Sequence, residues 1–118
     1  MQEQMNEKVL EMAEILDGRK AEDIVMIDVR EQTIIADYFI VCSGRSSTHI
    51  KTLADELSEE MAKRGTARQR IEGYQAGRWI VLDFGEILVH IFHQEEREFY
   101  DIERLWISGE NSQKYTVE

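Results

Sequence analysis

Residues 78–92 read RWIVLDFGEILVHIF, two apolar runs that meet at Phe84-Gly85. Successive side chains of a strand alternate sides, so Trp79, Val81 and Asp83 share one face of the first run while Ile80, Leu82 and Phe84 share the other. A two-residue turn at Phe84-Gly85 or at Gly85-Glu86 pairs odd positions of the first strand with even positions of the second. Either turn gives the same facing. Ile80, Leu82, Phe84, Ile87, Val89 and Ile91 form a set with no polar member, which must face the main core. Trp79, Val81, Asp83, Leu88, His90 and Phe92 form the opposite set. With two large aromatics, a carboxylate and an imidazole, that second set is too apolar for water and too polar for a dry core. Such a surface is a second packing layer or a place where another molecule docks.

The rest of the chain bounds what the hairpin belongs to. Its 118 residues fit one domain that needs no covalent staple. The single cysteine, Cys42, excludes an intramolecular disulfide and fits a reducing compartment. No apolar run reaches the roughly 18 residues of a membrane span, and the acidic N-terminus does not read as a signal peptide, so a cytoplasmic location is expected. With 14 basic against 24 acidic residues the net charge is −10. Phosphate backbones repel such a chain and basic surfaces attract it, which disfavours direct nucleic-acid binding and favours a basic protein partner.

Helical spacing of Met5, Val9, Met12, Ala13 and Leu16 predicts a helix over 3–16, stopped by Asp17-Gly18. DIVMIDV at 23–29 and YFIVCS at 38–43 read as strands, the second largely buried. Ile50, Leu53, Ala54, Leu57 and Met61 form one stripe of a second helix, with N-caps available at Ser46 and Ser47 and an end at Lys63-Arg64-Gly65. A short strand over 69–74 precedes the hairpin. Glu95, Glu96 and Glu98 then open a helix expected to run through Trp106, with Phe99, Ile102 and Trp106 on one side. Residues 108–118, SGENSQKYTVE, carry no apolar period and read as a flexible tail to a single domain over 1–107. The order α-β-β-α-β-β-β-α predicts an α/β (α+β) domain, a mixed five-stranded sheet with packed helices. Three helices leave part of one face or an edge uncovered.

Candidate chemistry is thin. Cys42, His49 and Asp37 contain the residue types of a nucleophile, base and orienter, but Cys42 sits in a buried strand and His49 in a helix first turn. His90 and His93 are three apart on a strand and point to opposite faces, a poor geometry for a shared metal. The stretch SGRSSTHI, from Ser43 to Ile50, places small hydroxyl residues between strand and helix, as phosphate-binding loops do. A phosphoryl-transfer enzyme would also need paired strand carboxylates to hold Mg²⁺, and the later strands offer only Glu72 and Asp83, each isolated. The run Glu95-Glu96-Arg97-Glu98 is a solvated helix start or an acidic rim beside the Trp79 face.

ADYFIVCSG, SSTHIKTLADE and EGYQAGRWIVLDFGEILVHIFHQEEREFYDIERLW, taken together, resemble the ribosomal silencing factor (RsfS, Iojap) family. The likeness runs from about Asp23 to Trp106 with no departure inside these motifs. It implies a nucleotidyltransferase-like fold without catalytic metal ligands, no cofactor and no enzyme activity. It further implies a partner, the basic large-subunit ribosomal protein fourteen, through which family members bind the large subunit, stop the small subunit from joining and lower translation when nutrients are scarce. Homodimers occur in the family. The docking surface is then expected on the Trp79, Val81, Asp83, Leu88, His90, Phe92 face or its edge, extended by Tyr38 and by Glu95 and Glu96. Self-association through that face is the competing reading. A nucleotide-binding or residual nucleotidyltransferase activity, using Ser43, Gly44, Ser46 and Ser47 with Asp83, is the alternative of another class.

Overall fold

In a computed structural model, residues 6–116 are described. The chain runs α1 (Glu7–Gly18), β1 (Glu22–Asp28), β2 (Tyr38–Gly44), α2 (Ser47–Lys63), β3 (Arg70–Glu72), β4 (Trp79–Asp83), β5 (Ile87–His93), α3 (Gln94–Tyr100), α4 (Ile102–Trp106) and β6 (Ser112–Lys114). One sheet holds all six strands in the order β3-β4-β5-β2-β1-β6. Its centre is the parallel pair β2 and β5, and every other pairing is antiparallel. The start of the first predicted helix, with Met5, lies outside the described residues.

The hairpin forms as its alternation requires. Phe84 N–H donates to Ile87 O at 2.9 Å across a turn at Gly85-Glu86, and Gly85 takes the positive φ of 93° that the turn needs. That turn sets the register Trp79 opposite Phe92, Val81 opposite His90 and Asp83 opposite Leu88. The all-apolar set packs under α1 and α2, joined by Met12, Leu16, Leu53, Leu57 and Met61 in the main core. Helix α2 has Ser46 as its N-cap, with Oγ accepting from His49 N–H at 3.1 Å, and Gly65 follows its end at a φ of 92°. Among the described residues, no helix is long and apolar enough to cross a membrane.

Two sequence expectations are corrected. The sheet has six strands, not five. The sixth is Ser112–Lys114, in the stretch read as a tail, which pairs Ser112, Gln113 and Lys114 with Ile27, Met26 and Val25 of β1. It lies on an edge, where main-chain groups of β1 need partners, so its existence does not depend on an apolar side-chain pattern. Asn111 anchors it: Nδ2 donates to the carbonyls of Asp28 and Trp106, each at 2.9 Å, and Oδ1 accepts from Ser108 N–H at 2.8 Å.

The last helix, in turn, is two helices broken at Asp101, which adopts the left-handed φ of 46°. The cause is Arg97. Its Nη1 donates to Ser43 Oγ at 2.9 Å inside the protein, while Nε and Nη2 donate to the two carboxylate oxygens of Glu103 at 3.0 and 2.9 Å. In a straight helix residues six apart point about 120° away from each other and lie about 9 Å apart along the axis. The break lets Arg97 and Glu103 meet. It also separates Phe99, which is exposed, from Ile102, which is buried over β1 and β2.

A half-covered aromatic face as candidate functional site

The second face of the sheet is built from alternating positions of four strands. Ile27, Phe39, Val41 and Phe92 are buried there beneath Ile102, with Trp79, Leu88 and Trp106 packed partly buried around them. Helix α4 covers the β1 and β2 side. Over β4 and β5 the cover thins, and Trp79, Val81, Asp83 and Leu88 remain partly exposed.

Trp79 organises the open part. Its indole stacks on Phe92, with centroids 4.8 Å apart and planes at 23°, and Tyr100 of α3 leans on it at 4.8 Å. Trp79 Nε1–H donates to His90 Nδ1 at 3.2 Å. His90 meets Phe39 in a T-shaped contact at 5.0 Å, and Phe39 meets Trp106 in another at 5.0 Å. Large apolar side chains stand exposed in the same half of the molecule: Phe99 and Tyr100 on α3, and Leu105 on α4. Ile34 and Ile35 project from the β1–β2 loop, which Gln32 ties to the end of α4 through Trp106 O at 3.0 Å. Sequence reasoning placed Phe99 on the packed side of the last helix and did not single out the other four. Two adjacent isoleucines in an otherwise polar link were the available signal.

The predicted site residues divide. Trp79, Val81, Asp83, Leu88, His90 and Phe92 do share a face, but Phe92 is fully buried and His90 nearly so, which leaves Trp79, Val81, Asp83 and Leu88 reachable. Tyr38 is on the other side. It packs with Ile40 and Cys42 in the main core, with the Arg30 guanidinium 5.3 Å from its ring centre, and cannot extend the Trp79 face. Glu95 and Glu96 do not form a bare acidic rim, because Arg78 bridges them: Nη2 donates to Glu95 at 2.8 Å and Nε to Glu96 at 2.7 Å. The hydrogen bond from Arg78 holds the Glu96 carboxyl below its ordinary pKa. Asp83 spends one oxygen on the turn, with Oδ1 accepting from Gly85 N–H at 2.8 Å.

Burial raises the Cys42 thiol to about 12, so it is no nucleophile. His49 is occupied at both nitrogens: Nδ1 accepts from Arg45 N–H and Nε2 faces Arg19 O, each at 3.0 Å. Ser43 is held by Arg97 and Gln94. At Gly44 an added Cβ would sit 2.7 Å from Ile50 Cγ1, so glycine is there for helix packing. Asp83 pairs with Leu88 whereas Ser43 is level with Phe92, about 13 Å farther along the strands. The sheet thus keeps Ser43 and Gly44 apart from Asp83. His93, Glu95 and Glu96 place one ligand atom each within 4.8 Å of one another, but Arg78 already spans both carboxylates and His93 Nδ1 accepts from Glu95 N–H.

Burial lowers His90 to about 4, so it stays neutral in the folded protein. The unfolded chain, with an ordinary histidine pKa, binds the additional proton between that value and about 6.5, and stability therefore falls as pH drops through this window. Between pH 7 and pH 5 the loss from this group is about 2 kcal/mol. Urea midpoints of the native chain and His90→Phe across pH 5–7 check it, the variant showing the smaller pH dependence.

The fold and face define a small α/β domain with a half-open aromatic surface and, among the described residues, no assembled set of catalytic groups. Residues 2–118 match the family described as "Ribosomal silencing factor during starvation". The ribosomal silencing factor RsfS of Haemophilus influenzae is 42% identical over 95 residues, covering 80% of this chain and 93% of that protein. Mouse "Mitochondrial assembly of ribosomal large subunit protein 1" is 31% identical over 98 residues, 80% of this chain and 43% of that one. A crystal structure from Chromobacterium violaceum superposes with a TM-score of 0.82 at 28% identity, over 97% of this chain and 95% of that one. The chain belongs to the ribosomal silencing factor family.

Proposed function

We propose that this chain binds the large ribosomal subunit through its basic protein fourteen and, by occupying space at the subunit interface, keeps the small subunit from joining when nutrients are scarce. The observation that carries the docking reading is the half-covered face. Trp79 is stacked on a fully buried Phe92 and bonded to His90, so it is a rigid aromatic anchor, and Val81, Leu88 and Asp83 surround it. Rigid aromatic anchors within a polar surround are the usual composition of binding hot spots. The net charge of −10 supports a basic partner. Membership in a silencing family supports the ribosome as target, and the name of the mouse relative refers to the large subunit. No bond is made or broken in this scheme, because exclusion is steric.

The test is a subunit-joining assay. Purified small and large subunits are mixed with and without the chain, and the 70S fraction is read on a gradient. The expected result is loss of joined ribosomes, with binding to the large subunit weakening as salt rises from 50 to 300 mM, on the order of the range over which surface charge is screened. Undiminished joining at saturating chain would overturn the proposal.

A further inference from the structure

Strand β3 brings two charged residues to the open face. Arg70 stands opposite Asp83 and Glu72 opposite Val81, and directly opposite residues of an antiparallel pair project to the same side of a sheet. Ile71 takes the other side and packs against the main core. β3 is the edge beside β4, away from the β1 and β2 side that α4 covers, and the Arg70 and Glu72 side chains are 68% and 63% exposed. Glu72 and Asp83, isolated in the sequence, are therefore diagonal neighbours with Arg70 next to both. Arg70 Nη2 donates to Glu72 Oε2 at 2.6 Å, and its pKa is raised chiefly by that bond and in smaller part by the charge of Asp83. Each carboxylate keeps one oxygen, Glu72 Oε1 and Asp83 Oδ2, that accepts no hydrogen bond among the described residues. An exposed ion pair of this kind adds little to stability, so its effect falls on what approaches the face.

We propose that Glu72 and Asp83 receive an arginine or lysine side chain of the protein partner at the β3 edge of the face, and that Arg70 is a specificity residue that competes with it. The inference rests on the docking reading above and adds where the partner's charge must lie. Opposite side chains of the pair start about 5 Å apart, so the cation belongs about that far from the group that covers Val81, on the side of the sheet edge. Among the described residues that β3, β4 and β5 place on this face, Arg70 is the one cation, and it already half-satisfies the two carboxylates. A cation arriving alone therefore gains little. A partner that also covers Trp79 and Val81 removes water from the strip, where the attraction between unlike charges strengthens. Arg70 thus turns away basic surfaces that lack the apolar contact and admits those that bring both.

Association kinetics of the purified full chain test this, with large-subunit protein fourteen and with whole large subunits, at low and high salt. Glu72→Gln should bind about threefold more weakly and with a smaller salt dependence, and so should Asp83→Asn, which keeps Oδ1 for Gly85 N–H. Arg70→Gln has the opposite sign. It should bind about threefold more tightly, through faster association and a steeper salt dependence. Lys63→Gln makes the same change of net charge at the end of α2, on the other side of the sheet, and should stay near native affinity. These are surface substitutions, and a thermal melt checks that each variant is folded. Arg70→Gln at or below native affinity overturns the assignment, and a loss seen only with whole subunits would show Arg70 meeting an RNA phosphate instead. Equal gains in Arg70→Gln and Lys63→Gln would reduce the effect to net charge and overturn it as well. Each of these results leaves docking intact, whereas failure of the native chain to bind overturns both readings.

Discussion

Replacing Trp79 by alanine is expected to weaken binding to the large subunit by 2–4 kcal/mol, about 30- to 1,000-fold, a hot-spot loss. The magnitude follows from where the indole is held. Phe92 supports it from below at 4.8 Å, Tyr100 braces it from the side and His90 fixes its N–H, so the side chain gives up little freedom when it docks. Alanine removes the anchor and also frees Tyr100, already half exposed, from its contact with the indole. Trp79→Phe should lose less, because it keeps an aromatic ring over Phe92 while deleting the donor to His90. Co-sedimentation with purified large subunits reads both variants, and solution mass read alongside separates the competing use of the face. If Trp79→Ala converts a dimer to a monomer while ribosome binding is intact, the face serves self-association and the docking assignment falls.

How far this face was legible in the sequence depends on which signals were local. The facing of Trp79, Val81 and Asp83 against Leu88, His90 and Phe92 needs only strand alternation and a tight turn, both written in 78–92. The side taken by Tyr38 is different. In β2, Tyr38, Ile40 and Cys42 alternate with Phe39, Val41 and Ser43, and both sets are buried because the strand is central and parallel to β5. With two apolar sets there is no hydrophobic contrast to choose a face. Only the register with β5 decides it, and that is a long-range property. Strand β6 was hidden for another reason: SQK carries no pattern because it is bound through the main chain of β1. The charge at 95–98 was legible, but its neutralisation by Arg78 was not, since Glu95 and Glu96 lie 17 and 18 positions from Arg78, across the hairpin.

The break at Asp101 leads to the second large effect, on stability. Arg97 is nine-tenths buried, and its guanidinium bonds Ser43 on β2 and both oxygens of Glu103 on α4, so one side chain ties two short helices to the sheet. Helices of seven and five residues have little stability of their own. Arg97 is the buried member of the pair and Glu103 is partly exposed. Removing Arg97 takes the donor from Ser43 and from both Glu103 oxygens and leaves a carboxylate that water reaches only in part. Arg97→Ala should therefore destabilise the domain by about 3 kcal/mol, lowering Tm by about 10 °C or more in a chain of this size. Adding Glu103→Leu should return much of the loss, since no uncompensated carboxylate then remains, and a thermal melt of the two variants against the native chain reads the difference. An additive double variant would show that the pair does not act as a unit. The same substitution should also reach the Trp79 face. With α3 loosened, Tyr100 no longer braces the indole, so Arg97→Ala should weaken large-subunit binding even at temperatures where the sheet remains folded.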